Sequence, residues 1–135
     1  MITTTDLNEL ERRVLEKLLE GRHETLERLR TQVDHSRVAS REFSNVGVFT
    51  NLVVDRAQAE PISGHRSLVI SDVEGDLAGL AHGAGFVLFV EEGYLEMLEA
   101  FSYGEHWPAY VSSLSLRYAG GGARNLAALD LDERP

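Results

Sequence analysis

The chain has 135 residues, of which 43% are hydrophobic and 26% are charged, and its formal net charge is -9. This composition predicts one globular domain with a single core, and the absence of cysteine excludes disulfides, thiolate metal sites and cysteine nucleophiles. The acidic balance argues against a nucleic-acid binder. Without a long apolar run or a signal-like amino terminus, the sequence leads us to expect a cytoplasmic protein with no membrane partner.

Two amphipathic helices are predicted at the amino-terminal end. Asp6 and Glu9 have the spacing of a capping box, and apolar residues recur at helical spacing from Leu7 to Leu19. Gly21 is a natural helix stop, and a shorter pattern predicts a second helix over residues 23–34. One long helix with Gly21 inside it is the alternative, at a cost of about 1 kcal/mol. We expect the apolar stripe to pack on the rest of the domain, with a homodimer seam as the alternative.

A series of strands is predicted after Arg37, where Val, Phe, Thr and Gly replace the Leu- and Glu-rich pattern. Strands are expected over residues 38–43, 46–54, 67–73, 83–90 and 111–118, with a polar loop over residues 55–66. Residues 46–54 are apolar at nearly every position, which is typical of a strand buried on both faces or nearly so.

The segment 94–101 is ambiguous between helix and strand. Leu95, Leu98 and Phe101 have helical spacing, but the segment directly follows a glycine turn and has aromatic ends, so we predict a strand. The fold class is therefore α+β, with an N-terminal helical hairpin packed on an antiparallel sheet of about five or six strands. A single domain is expected over residues 1–119, followed by a Gly-rich hinge and a mobile tail over residues 120–135.

Three short sequence patterns carry a resemblance to other proteins. They are GVFT in Gly47–Thr50, GAGFVLF in Gly83–Phe89, and LExF…WP in Leu98–Phe101 with Trp107-Pro108. The chain resembles, over residues 15–118, a group of small bacterial proteins without an established activity. The resemblance implies a compact bacterial domain that shares these segments as framework, and it carries over no catalytic residue.

The acidic residues are concentrated in one part of the chain. Residues 67–116 contain eight acids and no Lys or Arg, so this part holds most of the net charge. It is either a solvated face or a docking surface for a basic protein partner. The pattern Asp72-x-Glu74-x-Asp76 resembles the start of a calcium loop but fails at the following positions, so no metal site is predicted. In an extended strand its three carboxylates would share one face.

The loop Tyr103–Pro108 combines an acid, a histidine and the single tryptophan of the chain in Glu105, His106 and Trp107. Tryptophan is enriched at binding hot spots, so Trp107 is a candidate binding residue. The alternative is that Trp107 folds back as a lid over the core. Elsewhere, Gly83-x-Gly85 lacks the third glycine of a nucleotide loop, and no cofactor is predicted.

We expect a non-enzymatic interaction module with an acidic surface for a basic protein partner, and by analogy an immunity-type role would suit it. The candidate binding residues are Asp72, Glu74, Asp76, Glu99, Glu105, His106 and Trp107. The alternative is a small enzyme or ligand-binding protein with a pocket between sheet and helices, using Glu99, His106 and either His82 or Arg41. Convergence of His65, His82 and His106 in space stays open. An exposed Trp107 on a flat acidic face would favour the first function, and a deep pocket with His and Glu the second.

Overall fold

The computed structural model describes residues 6–132, which form two helices followed by a six-stranded antiparallel sheet. The elements are α1 (Glu9–Leu18), α2 (Glu24–Asp34), β1 (Ser36–Phe43), β2 (Gly47–Val54), β3 (Leu68–Leu77), β4 (Ala84–Glu91), β5 (Tyr94–Ser102) and β6 (Leu114–Tyr118). The strand order is β1-β2-β5-β4-β3-β6. The predicted α+β fold with an N-terminal helical hairpin is confirmed. Within residues 6–132, no helix has the length and apolar character needed to cross a membrane.

The first helix begins two residues later than the sequence predicts. Asn8, not Asp6, is the N-cap: its side chain accepts a hydrogen bond from the Glu11 amide at 2.8 Å, and the Glu11 carboxylate accepts one from the Asn8 amide at 2.8 Å. The prediction of a cap at Asp6 is therefore wrong, because Asn8 is an equally good cap and its register points Glu11 at the sheet. Gly21, with φ +132°, separates the two helices as predicted.

The ambiguous segment 94–101 is a strand, as predicted. It lies between β2 and β4 and is paired with both, so cross-strand pairing overrides its helix-favouring composition. Leu98 and Ala100 are buried beneath the helices, whereas Glu99 and Phe101 are half-exposed on the opposite side. This alternation sets the two faces of the whole sheet.

Both helices pack on the same face of the sheet. Helix α1 contacts β3, β4 and β6, and α2 contacts β5. The core between the two layers includes the fully buried Leu15, Leu18, Leu26 and Leu29 on the helices and Phe86, Leu88 and Ile70 on the strands. We call the opposite side of the sheet the open face, because neither helix covers it.

The carboxyl-terminal segment is docked on the domain, which corrects the expected domain end at residue 119 and the expected mobile tail. Gly120, Gly121 and Gly122 all have positive φ and turn the chain back. Leu131 is then only 3% exposed, and its carbonyl accepts a hydrogen bond from the Thr25 hydroxyl at 2.8 Å. The glycines thus form a turn into a packed segment, and the expected tail residues 133–135 lie outside the described residues.

Candidate functional site

The acidic residues of β3 are matched by arginines. Arg117 on β6 binds Glu74 at 3.0 Å and Asp76 at 2.7 Å. A bulge between Ile70 and Val73 interrupts the alternation of the strand, and Asp72 binds Arg124 instead, through two hydrogen bonds of 2.8 Å. The three carboxylates therefore form no shared acidic site, contrary to the sequence prediction. No group of acids and histidines suited to a metal ion occurs within residues 6–132.

Arg124 links the docked carboxyl-terminal segment to the end of α1. Besides Asp72, its guanidinium donates to the carbonyls of Leu18 and Glu20, and it lies 4.9 Å from the ring centroid of Tyr118. Carbonyls at the end of a helix lack intrahelical donors, so Arg124 satisfies that of Leu18, the last residue of α1, together with the Glu20 carbonyl just beyond the helix. This arrangement gives Asp72 a structural role.

Trp107 is buried in the core. It is 7% exposed, and its amide donates to the carbonyl of Asn45 in the β1–β2 turn at 2.8 Å. The alternative in which Trp107 folds over the core is therefore confirmed, and Trp107 is not an exposed aromatic side chain; a role in binding stays a prediction. The loop that joins β5 to β6 passes over the end of the core. Burial of the apolar indole ring there accounts for the position of Trp107.

Glu105 and His106 brace neighbouring turns. The Glu105 carboxylate accepts hydrogen bonds from the Ala81 and His82 amides at 2.8 and 2.9 Å, and these bonds lower the pKa of Glu105. The His106 Nδ1 lies 2.6 Å from the Asn45 Oδ1. Both side chains thus have local partners that explain their positions.

The histidines and Glu99 are not brought together in one pocket. Glu99 lies on the open face, in register with Phe49 and Val87. His65 lies beside Gly93 at the β4–β5 turn, whereas His106 contacts the β1–β2 turn. His82 does lie near Glu105, whose carboxylate accepts a hydrogen bond from the His82 amide, but this contact is exposed and involves neither Glu99 nor His65.

The open face carries a group of apolar side chains from four neighbouring strands, which we call the apolar band. Its rows follow the strand register across the sheet; Asn51, Met97, Phe89 and Val69, for example, lie side by side. Val69 is 52% exposed, and the band is otherwise partly exposed. The band consists of Phe49, Val53, Val69, Val87, Phe89, Met97 and Phe101.

Phe101 extends the band toward the loop after β5. Its ring lies against Gly85, where a Cβ atom would come within 2.4 Å of the ring, so only glycine leaves room for it. The ring also makes an edge contact with Tyr103, with centroids 5.6 Å apart. The apolar surface therefore continues onto the exposed Tyr103.

Acidic residues lie within the apolar band and at its edges: Glu99 lies between Phe49 and Val87, and Glu42 is in register with Phe49. Glu42, Glu91 and Glu99 form no ion pair with a base among the described residues, although Glu42 accepts a hydrogen bond from Asn51. The remaining open-face charges are the acids Glu74 and Asp76 and the bases Arg37 and Arg117. Because Arg117 is engaged by Glu74 and Asp76, the open face is apolar with a net negative charge.

Sequence reasoning missed the apolar band, although a signal for it exists. Residues 46–54 and 83–90 are apolar at both alternating positions, as expected for strands covered on both faces. Two helices of ten and eleven residues, however, cover only one face of a six-stranded sheet. These strands are apolar on both faces, but the two helices form a single layer. The sequence therefore predicts that one apolar face of the sheet stays uncovered.

A second missed feature is the buried carboxylate of Glu11. It lies among the apolar residues that α1 turns toward the sheet and is 2% exposed. Its two oxygens accept hydrogen bonds of 2.7 and 2.8 Å from Arg41 on β1, and one of them a bond of 2.9 Å from Thr50 on β2. The signal was present, since Glu11 lies four residues from both Leu7 and Leu15 in the helical stripe.

Two of the clefts that border α1 have volumes of several hundred Å³. The larger, about 540 Å³, runs between α1 and α2 and is bordered by three acids and three arginines, so its charges give no preference for a ligand. The smaller, about 340 Å³, lies between the start of α1, the end of β1 and residues 107–111. The Glu11–Arg41 pair forms part of its wall.

Comparison with known proteins assigns no function to the surfaces and clefts described above. The resemblance to a group of small bacterial proteins stays a prediction. No protein-family model, curated protein or solved structure matches the chain.

Proposed function

We propose that the protein is a non-enzymatic interaction module whose open face binds a partner protein that is both apolar and basic. The observation that carries this proposal is the apolar band, which neither helix covers and which contains Glu99 and adjoins Glu42 and Glu91, acids that have no basic partner in the described chain. The sequence predicted an acidic docking surface at Asp72, Glu74 and Asp76. We assign that surface to the residues around Glu99 instead.

The size of the open face supports a protein partner. Six strands of five to ten residues, about 4.8 Å apart and rising about 3.4 Å per residue, give the sheet a face of about 800 Å². This area is comparable to the share of about 800 Å² that one partner contributes to a stable interface. A group of exposed apolar side chains on such a face is typical of an interaction site.

The charges favour a different protein over a second copy of this chain. Packing two open faces together would place the acids of one copy near those of the other, and like charges at an interface are unfavourable. A basic partner would neutralise Glu42, Glu91 and Glu99 while its apolar side chains cover the band. We therefore expect attraction that weakens as salt shortens the Debye length from about 10 Å at 0.1 M to about 3 Å at 1 M.

The test is affinity capture from the source cells with three matched baits. Glu99→Lys reverses an open-face charge, Val69→Asp interrupts the apolar band, and Glu16→Lys makes the same charge change on the exposed side of α1. We expect a basic protein to bind the unmodified chain and Glu16→Lys, and to bind the two open-face variants at least tenfold more weakly, about 1.4 kcal/mol. A partner that binds all four chains equally, or that is acidic, would contradict the proposal.

A further inference from the structure

The smaller cleft beside α1 is a second candidate site, separate from the open face. Phe43 lies in register with the buried Val48, which places it on the helix-covered side of the sheet. The cleft has a volume of about 340 Å³, within the range of small binding sites. Its walls are largely apolar and include Leu10, Trp107 and Val111.

The ion pair in the wall of the cleft is internally balanced. Arg41 directs its Nε and one Nη toward the two oxygens of Glu11 in a bidentate pair. The same Nη also donates to the Asp6 carbonyl. The charges of Glu11 and Arg41 thus cancel, and this pair leaves no net charge facing the cleft.

The rim of the cleft combines exposed aromatic rings with an unmatched carboxylate. Phe43 is 72% exposed and Tyr110 is 85% exposed, although both rings border the cleft. Glu9, in the first turn of α1, also borders it and forms no ion pair within residues 6–132. Aromatic faces and a carboxylate both attract cations, so the rim favours a positively charged group.

We propose that this cleft binds an arginine side chain of a partner protein. The methylene stem packs against Leu10, Trp107 and Val111, and the guanidinium lies between the Glu9 carboxylate and the aromatic rings of the rim. Arginine fits better than lysine because its planar guanidinium stacks on aromatic rings while it hydrogen-bonds a carboxylate. An anionic side chain would be repelled by Glu9, and Arg41 would not attract it because Arg41 is already paired with Glu11.

The chain contains a built-in reporter for this cleft. Trp107 is its single tryptophan and lines the cleft, so its fluorescence responds to an occupant. The probe is Nα-acetyl-L-arginine amide, titrated at constant ionic strength into the full chain, and the uncharged control is Nα-acetyl-L-norleucine amide. We expect a saturable change with the arginine probe, and binding of the norleucine probe that is at least threefold weaker, because an exposed cation–π contact contributes about 0.5–1 kcal/mol.

Substitutions at the rim complete the test. Glu9→Gln and Tyr110→Ala change exposed side chains, so the fold is preserved, and each should weaken the arginine probe about threefold or more. Glu16→Gln, on the same helix but outside this cleft, should leave binding unchanged. The absence of a saturable signal, equal binding of the two probes, or unchanged binding by both rim variants would each overturn the inference.

The outcome is independent of the open-face proposal. Glu99→Lys and Val69→Asp lie on the other side of the sheet and should bind the arginine probe as the unmodified chain does. Loss of probe binding in these two variants would contradict a separate site.

Discussion

Glu11 holds the first helix against the sheet. Its carboxylate is buried beside Arg41, Thr50 and the Asn8 amide, and removing its charge leaves the half-buried Arg41 without a counterion. We expect Glu11→Gln to lower the free energy of unfolding by about 2–3 kcal/mol, somewhat less than for a fully buried pair because Arg41 is partly hydrated. Urea unfolding measures this change, and Glu16→Gln on the same helix should change stability by less than about 0.5 kcal/mol. A loss as small as that of the control would show that the pair does not hold the helix.

The same carboxylate predicts a pH dependence. Burial alone would raise the pKa of Glu11, but hydrogen bonds from Arg41, Asn8 and Thr50 together lower it below its ordinary value of 4.5. A pKa that is lower in the folded state gives stability that is present above pH 4.5 and is lost as the pH falls through the folded pKa. The difference in unfolding free energy between the unmodified chain and Glu11→Gln should therefore be constant near neutral pH and shrink below pH 4.5. A difference that grows on acidification would contradict this assignment.

At the scale of elements, the β4–β5 hairpin turn is docked on the loop before β3. Gly93 has φ +92°, and a Cβ atom there would lie 2.6 Å from the Cβ of Pro61. Gly104 has the same φ of +92° with no atom within 4 Å, so it is a matched control. We expect Gly104→Ala to lower stability by about 1 kcal/mol through backbone strain and Gly93→Ala by about 2–4 kcal/mol through strain and collision. Equal losses of stability for the two variants in thermal unfolding would show that the turn can shift away from Pro61 without cost.

The docked carboxyl-terminal segment is an element that the sequence suggested would be mobile. Deleting residues 130–135 removes Leu131 and the bonds that its carbonyl accepts from Thr25 and Arg66. We expect a loss of about 2–4 kcal/mol in chemical unfolding, and a loss of about 2 kcal/mol for Leu131→Ala in the full chain. Ala127→Ser, at an exposed position of the same segment, should have almost no effect. If the deletion lowered the free energy of unfolding no more than Ala127→Ser does, the segment would contribute nothing to the stability of the fold.

Hydrophobic periodicity was enough to predict the helices, most of the strands and the fold class, because each depends on neighbouring residues. It did not predict the partners of charged side chains. Asp72 and Arg124 are 52 positions apart and Glu11 and Arg41 are 30 apart, so their pairing depends on the assembled fold. For the same reason the acidic segment looked unpaired in sequence, although Arg117 folds onto two of its acids.

At the scale of the whole molecule, the two faces of the sheet differ in how far their apolar side chains are buried. The helices bury the apolar residues on one side of the sheet, and the apolar band on the other side has no counterpart in the described chain. A net charge of -9, with Glu42, Glu91 and Glu99 at the open face, opposes the association of two copies through that face. Apolar burial and charge repulsion therefore act in opposite directions on self-association.

This balance predicts the response of the molecule to salt. Raising the salt from 0.1 M to 1 M shortens the Debye length from about 10 Å to about 3 Å, which weakens the repulsion between open faces while apolar attraction persists. In sedimentation velocity we expect a monomer at low salt and a dimer fraction that rises with salt. Glu99→Gln removes one open-face charge from each copy and should shift the rise to lower salt, whereas Glu16→Gln, with the same change in net charge, should shift it much less. A dimer that is present at low salt and dissociates as salt increases would show instead that oppositely charged groups hold the copies together.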